Sequence, residues 1–323
     1  VFDVITIGGA TRDFFFEIDS LTAKKSHQFK GQKILEIPYG EKIVTDNTYY
    51  SFGGGAVNSS ISFARLGLRP ATVCSIGREG SGRLIFEHLK KEKVSTTLIK
   101  RDNSLHTGLS VLILGKDSEH TGFLERGANN HLTIKRWRPL KNTKWIYLSS
   151  LTGESAKLLP DIFKFALRHK IKIAFNPGSM QLATGYRGLK DFIKATDVLI
   201  LNYQEAEALV SSKIKRIPKT EKELMAEVEK LGAKISVVTE DGHGSHAISG
   251  GKEYHQMAYS EKVLDTTGAG DAFGSTFVFG IIKKFDISYS LRIAAINSAS
   301  VVSKMGAGEG LLTYNRIRSS KWL

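Results

Sequence analysis

Seven consecutive residues, Asp265-Thr-Thr-Gly-Ala-Gly-Asp271, set two carboxylates around a glycine turn and lead into an apolar stretch with Phe273, Phe277 and Ile281 four apart. Glycines ahead of a helix leave unobstructed N–H groups at its first turn, where the helix dipole favours negative charge. A carboxylate at Asp271 would repel a phosphate held there. The conflict disappears if Asp271 takes a proton from an attacking hydroxyl while the amides hold a transferring phosphoryl group. Phosphoryl transfer asks for little beyond an aligned nucleophile, a weak base and charge stabilisation. Taken alone, the string fits a plain helix start with an acidic N-cap equally well.

Such residues need a scaffold, and short apolar runs alternate with helical patterns over most of the chain. Phe2–Ile7, Ala71–Ile76, Trp145–Leu148, Ile171–Phe175, Val198–Leu201 and Ile235–Thr239 read as buried strands. Val57–Leu66, stopped by Gly67, reads as a helix, as do Lys157–Arg168, Tyr203–Leu209 and Thr220–Leu231. The last opens on a capping box, Thr220-Glu-Lys-Glu223. This alternation predicts an α/β fold with a mostly parallel central sheet flanked by helices. The stretches 14–52 and 107–123 lack helical periodicity and predict short antiparallel strands forming a small β-sheet lid. The whole chain, 1–323, is expected to be one domain.

The 323 residues are 41% hydrophobic and carry a net charge of +14. A sole cysteine, Cys74, excludes an internal disulfide and a Cys-rich zinc site and fits a reducing compartment. The best candidate for a membrane helix, Phe273–Ile282, contains Gly, Ser and Thr and is about half of the roughly 20 residues such a helix needs. Val1–Gly8 reads as a buried strand without a charged leader, so no secretory signal, no membrane association and a cytoplasmic location are expected. The positive charge raises the question of nucleic acid, with His131–Trp145 as the best local candidate. Its aromatics, Trp137 and Trp145, serve equally as core anchors beside a strand, and attraction of a polyanionic nucleotide is the commoner cause of such an excess.

Asp265–Asp271 resembles, residue for residue, the second signature of the ribokinase-like, or PfkB, carbohydrate kinases, and further matches follow in that family's order. The resemblance implies that Asp271 is the catalytic base and that the Gly268, Ala269 and Gly270 amides form an anion hole. Ile7-Gly-Gly-Ala-Thr-Arg-Asp13 resembles the first strand and its substrate-binding aspartate, Asp13. Ser51-Phe-Gly-Gly-Gly-Ala-Val-Asn58 is similar to the first signature, implying acceptor contacts at Gly54, Gly55 and Asn58. Asn202-Tyr-Gln-Glu205 resembles the Asn-x-x-Glu element that organises Mg²⁺, with Glu205 acting through water. Val238–Gly244 resembles the nucleotide loop, with Thr239 at phosphate oxygens and Gly242 and Gly244 clearing space. Ala294–Asn297 and Lys304–Gly308 look like walls of the adenine pocket, with Asn297 a nucleotide contact. Asp265 is the candidate for a monovalent cation such as K⁺, together with backbone near Thr267 and Gly306. Read without the family, Gly53–Gly55 fits a strand-to-helix turn, Asn202/Glu205 a helix cap and Val238–Gly244 a hairpin.

The implied activity is transfer of the γ-phosphoryl of ATP to a sugar or sugar-like alcohol. A nucleoside acceptor stays open, with Phe14–Phe16 as possible rings beside Asp13, as does a non-catalytic homologue binding sugar or nucleic acid. Asn176-Pro-Gly-Ser departs from the more acidic motif of many relatives. The basic lid stretch Lys24–Asn47 fits a phosphorylated acceptor or a solvated face. Dimerisation through the lid is expected by resemblance. A dehydrogenase fits poorly because Gly8-Gly9 lacks the rest of Gly-x-Gly-x-x-Gly, and the P-loop pattern is absent.

Overall fold

The computed structural model describes residues 1–26, 33–115 and 120–323. The chain runs through β1 (Val4–Ile7), β2 (Thr11–Glu17), β3 (Asn47–Gly53), α1 (Gly55–Arg65), β4 (Pro70–Val73), α2 (Gly80–Lys91), β5 (Gly108–Leu114), β6 (His120–Glu125) and β7 (Trp145–Leu148). It continues through α3 (Leu159–Arg168), β8 (Lys172–Phe175), α4 (Gly185–Lys194), β9 (Val198–Asn202), α5 (Tyr203–Ile214), α6 (Glu221–Glu229), β10 (Ile235–Glu240), β11 (Gly244–Ser249), β12 (Lys252–Gln256), α7 (Ala269–Ile282) and α8 (Ile287–Val302). The central sheet has the order β12-β11-β10-β9-β8-β7-β1-β4, parallel from β10 to β4, with β11 and β12 added antiparallel at one edge.

The inner strands are buried on both faces, which explains their unbroken apolar runs. Alternation along β7 divides two cores. Ile146 and Leu148 pack with α3, α4, α5 and α6, whereas Trp145 and Tyr147 pack with α1, α7 and α8. α7 is apolar on nearly every side because it lies inside the second core, with Phe277 and Phe279 fully buried. Burial of each such ring contributes about 2–3 kcal/mol.

Three details differ from the sequence expectation. The strand expected over Ala71–Ile76 breaks after Val73, and Ser75–Ile76 pairs instead with Lys100–Arg101, outside the main sheet. The capping box before α6 is half formed: Thr220 Oγ accepts the Glu223 N–H, but the Glu223 carboxylate accepts from Lys219 N–H and pairs with Arg216. The second sheet, β6-β5-β2-β3, is mixed rather than antiparallel, because β2 and β5 run parallel. This sheet is built from the two stretches expected to form a lid. Residues 27–32 of the first stretch and 116–119 of the second lie outside the described residues. Lys24, from the basic part, pairs with Glu36 on the exposed surface.

Trp145 is buried, and Trp137 packs against Phe165 at 5.1 Å between ring centroids, so both tryptophans of the basic segment anchor the core. Among the described residues no helix is long and apolar enough to cross a membrane.

Candidate active site

The candidate residues converge at the C-terminal edge of the parallel strands, where open α/β sheets place their ligands. Gly268 caps α7 with φ +80°, a conformation that disfavours any side chain, and a Cβ there would lie 2.4 Å from that of Ala307. The turn it makes sets Asp271 in the first turn of α7. The Ala269 N–H donates back to Thr266 O at 3.2 Å. Those of Gly268, Gly270 and Asp271 have no acceptor among the described residues. The amides free to hold an anion are therefore these three, and Ala269 is the member of the expected set whose N–H is already engaged.

Asn58, in α1, donates from Nδ2 to Asp271 Oδ2 at 2.8 Å. Its own Oδ1 is buried and has no partner among the described residues. Burial pushes the Asp271 carboxyl above the usual carboxylate range, and the Asn58 hydrogen bond works against that rise. Beneath α7, the buried Tyr147 hydroxyl lies so close that a Cβ at residue 274 would be 2.5 Å from it. Burial and the charge of Asp271 both push this phenol upward, so it stays neutral.

The segment Gly53–Gly55 joins the lid to α1 where chains approach closely. A Cβ at Gly53 would lie 2.1 Å from Asp13 Oδ2, and one at Gly54, where φ is +94°, 2.5 Å from Gly9 O. The glycines let β3 and α1 close on both aspartates, because Gly55 in turn faces Asp271. Asp13 is 5% exposed. Its Oδ1 accepts the Ser110 hydroxyl at 2.5 Å. Burial pushes its carboxyl up to about 6, with the Ser110 hydrogen bond opposing and nearby Asp265 adding to the rise.

A cleft of about 520 Å³ opens on the other side of the α7 N-terminus. It brings together Asn202, Thr239, Gly242 and Gly244 with Ala269 and Gly270. Asn202 and Thr239 are register partners at the ends of β9 and β10. Tyr259, Val263, Phe273 and Ala295 supply apolar wall. A phosphorylated, partly apolar ligand fits such a cleft, with its anionic end at the free amides.

The sequence model of the pfkB family carbohydrate kinases matches residues 29–313. The chain belongs to this family of kinases. It is 24% identical over 288 residues to a ribokinase of Haemophilus influenzae, covering 87% of this chain and 92% of that one. The structure of Arabidopsis thaliana ribokinase complexed with ribose and ATP superposes with a TM-score of 0.81 at 22% identity, covering 98% of both chains. That of Burkholderia thailandensis nucleoside kinase in complex with inosine superposes with a TM-score of 0.79 at 16% identity, covering 97% of this chain and 96% of that one. The fold is that of ribokinase, and the activity class is that of an ATP-dependent sugar or nucleoside kinase.

Within this kinase several expected residues take different positions. Asn297 does not reach the cleft. It is fully buried, donating to Thr276 Oγ1 and accepting from Leu312 N–H, both at 2.8 Å, while its neighbours Ala295, Ser298 and Ala299 form the wall. Lys304–Gly308 also stands behind the cleft rather than lining it. Gly306 N–H donates to Asp265 Oδ2 at 2.9 Å, and Met305 packs on the lid core of Phe15, Leu112 and Leu114. Asp265 Oδ1 accepts the Thr267 N–H at 2.9 Å, so this buried carboxylate clasps the two loops directly. Glu205 caps α5 reciprocally with Asn202: Glu205 Oε2 accepts the Asn202 N–H and Asn202 Oδ1 accepts the Glu205 N–H. Phe14 and Phe16 lie on the lid face opposite Asp13, since side chains alternate along β2. Phe15 shares the face of Asp13 but is buried in the lid core.

Sequence reasoning missed Ser110 and Tyr147. The signal for Ser110 was a lone polar residue at an inward position of an otherwise apolar strand, Gly108–Leu114. Tyr147 was hidden within a buried strand, where its ring reads as core.

Proposed function

We propose that this kinase transfers the γ-phosphoryl of ATP to a hydroxyl of a sugar or sugar-like alcohol, with Asp271 as general base. The observation that carries the reading is the Asn58–Asp271 pair set directly below unpaired amides at the rim of the nucleotide-sized cleft. The acceptor hydroxyl gives its proton to Asp271 as its oxygen bonds to the γ-phosphorus. The bond from that phosphorus to the bridging oxygen breaks in line, and ADP leaves through the cleft. The Gly268, Gly270 and Asp271 amides hold the charge spread over the transferring oxygens. Asp13, Gly54 and Gly55 border the acceptor, and the unpartnered Asn58 Oδ1 can accept from one of its hydroxyls.

Glu205 fits a role beside Mg²⁺ because Oε2 alone is engaged in the cap, and a hard cation retains waters that such a carboxylate orders. Mg²⁺ would supply charge neutralisation at the phosphates. Asp265, surrounded by loop backbone, is the proposed neighbour of a K⁺-like cation, which rates in potassium against tetramethylammonium salts would test. Exposed Phe123 and Leu124 on β6 support a dimer joined through the lid sheets, to be tested by light scattering.

A sugar acceptor is preferred to a nucleoside because no ring of Phe14–Phe16 is free on the face of Asp13. The test is ADP release with ATP and Mg²⁺ over sugars, phosphosugars and nucleosides, with Asp271→Asn alongside. Turnover on a sugar that is lost in the variant supports the reading. Turnover on nucleosides alone overturns the acceptor assignment, and full activity of the variant overturns the base.

A further inference from the structure

Beyond the kinase site, a second cluster stands at the outer edge of the central sheet. Glu221 at the start of α6, Glu240 at the end of β10 and His246 in β11 offer ligand atoms that all lie within 4.8 Å of one another. Glu253, on β12, accepts at Oε1 from the same imidazole, 3.0 Å from His246 Nδ1. His246 Nε2 faces Glu221 Oε1 at 2.9 Å. Among the described residues none of these three carboxylates pairs with a lysine or arginine. That is unexpected in a chain with 46 Lys and Arg against 32 Asp and Glu.

A neutral imidazole carries one N–H. With that proton on Nδ1 and given to Glu253, Nε2 turns a lone pair towards Glu221 and Glu240. Lone pair and carboxylates repel unless a cation sits between them. An outer carboxylate on the far nitrogen of a metal-binding histidine is the usual way such a ring is oriented and made more basic. The geometry points to a divalent transition-metal site formed by His246, Glu221 and Glu240, with Glu253 as the outer partner. One imidazole and two carboxylates suit Zn²⁺ and disfavour Mg²⁺, which prefers oxygen donors and keeps its waters. Ligands about 2.0–2.1 Å from zinc stand closer together than 4.8 Å, so the three side chains would draw together around the ion.

The site would fasten α6 to the hairpin whose turn, Asp241 to Gly244, borders the nucleotide cleft. Zinc would therefore couple this outer edge to the mouth of the active site.

The test is Zn²⁺ titration of chelator-stripped protein against a chromophoric competitor in excess Mg²⁺. Wild-type protein should take up one equivalent. His246→Ala and Glu240→Gln should each weaken binding at least a hundredfold, and Glu253→Gln about tenfold, with circular dichroism verifying the fold. Zinc-edge absorption of the wild type should show one imidazole among oxygen donors, a reading that needs no variant. No uptake by the wild type, as expected if His246 simply bridges carboxylates in its protonated form, overturns the proposal. So does uptake unchanged in His246→Ala, or a zinc shell without imidazole.

Discussion

Asn58 donates to the carboxylate of Asp271 at 2.8 Å across a sequence separation of 213 residues. One residue lies in the helix that follows the lid, the other in the first turn of the helix that carries the free amides. The hydrogen bond fixes the orientation of the carboxylate and leaves Oδ1 towards Gly55, the side on which the lid strand enters α1. It also holds down a carboxyl that burial otherwise raises. Asn58 thus favours the ionised form of the proposed base.

Asp271→Asn should preserve the fold, because an amide oxygen can still accept from Asn58. Loss of a general base costs about 10²–10⁴-fold in rate. The expected result is a fall of that size in kcat, with little change in the KM for either substrate, measured by steady-state ADP release.

Asn58→Leu removes the one hydrogen bond that lowers the Asp271 carboxyl, so its ionisation should move to higher pH. A hydrogen bond to a charged group is worth about 1.5–3 kcal/mol, which corresponds to about one to two pH units. The acidic limb of kcat/KM against pH should shift upward by that amount. An unmoved limb would separate Asn58 from the ionisation of the base.

Asp13 carries the opposite stability linkage from a salt-bridged aspartate. Its folded value of about 6 lies above the ordinary 3.8. The folded state therefore binds the proton more tightly, and that stabilisation is complete below pH 3.8 and lost as pH rises through about 6. The rise corresponds to about 3 kcal/mol. Asp13→Asn should accordingly gain stability over wild type between pH 4 and pH 8, levelling off above 7. Chemical denaturation at the two ends of that range measures it, and other carboxylates cancel in the difference.

The parallel sheet and the helices beside the site were legible because their patterns are local: Trp145–Leu148 is buried at every position, and Gly67 ends α1 through backbone bonds from Gly67 to Ala64 and from Leu68 to Phe63. Asp271 stood out through its glycine turn, whereas Asn202, Thr239, Gly242 and Gly244 were singled out only through the resemblance to the kinase signatures. What was hidden depends on which way a side chain turns. Nothing in Ala294–Asn297 says that Asn297 points into the core while Ala295 faces the cleft. Likewise, Ser110 differs from any strand serine only through Asp13, which lies opposite it on β2. Parallel pairing of β2 with β5 joins strands nearly a hundred residues apart, and no local pattern encodes it.

Asn297 gives the sharpest contrast between a nucleotide contact and a structural residue. Its side chain links α7, through Thr276, to the backbone of Leu312 beyond α8. Asn297→Ala leaves the half-buried Leu312 N–H without that partner, and an unsatisfied buried donor costs up to about 1–3 kcal/mol. The lost amide adds a cavity behind the cleft wall. The expected outcome is a melting temperature several degrees lower, with the KM for ATP within about twofold of wild type, since Ala295, Ser298 and Ala299 still form the wall. A large rise in the KM for ATP at unchanged stability would instead return Asn297 to the nucleotide.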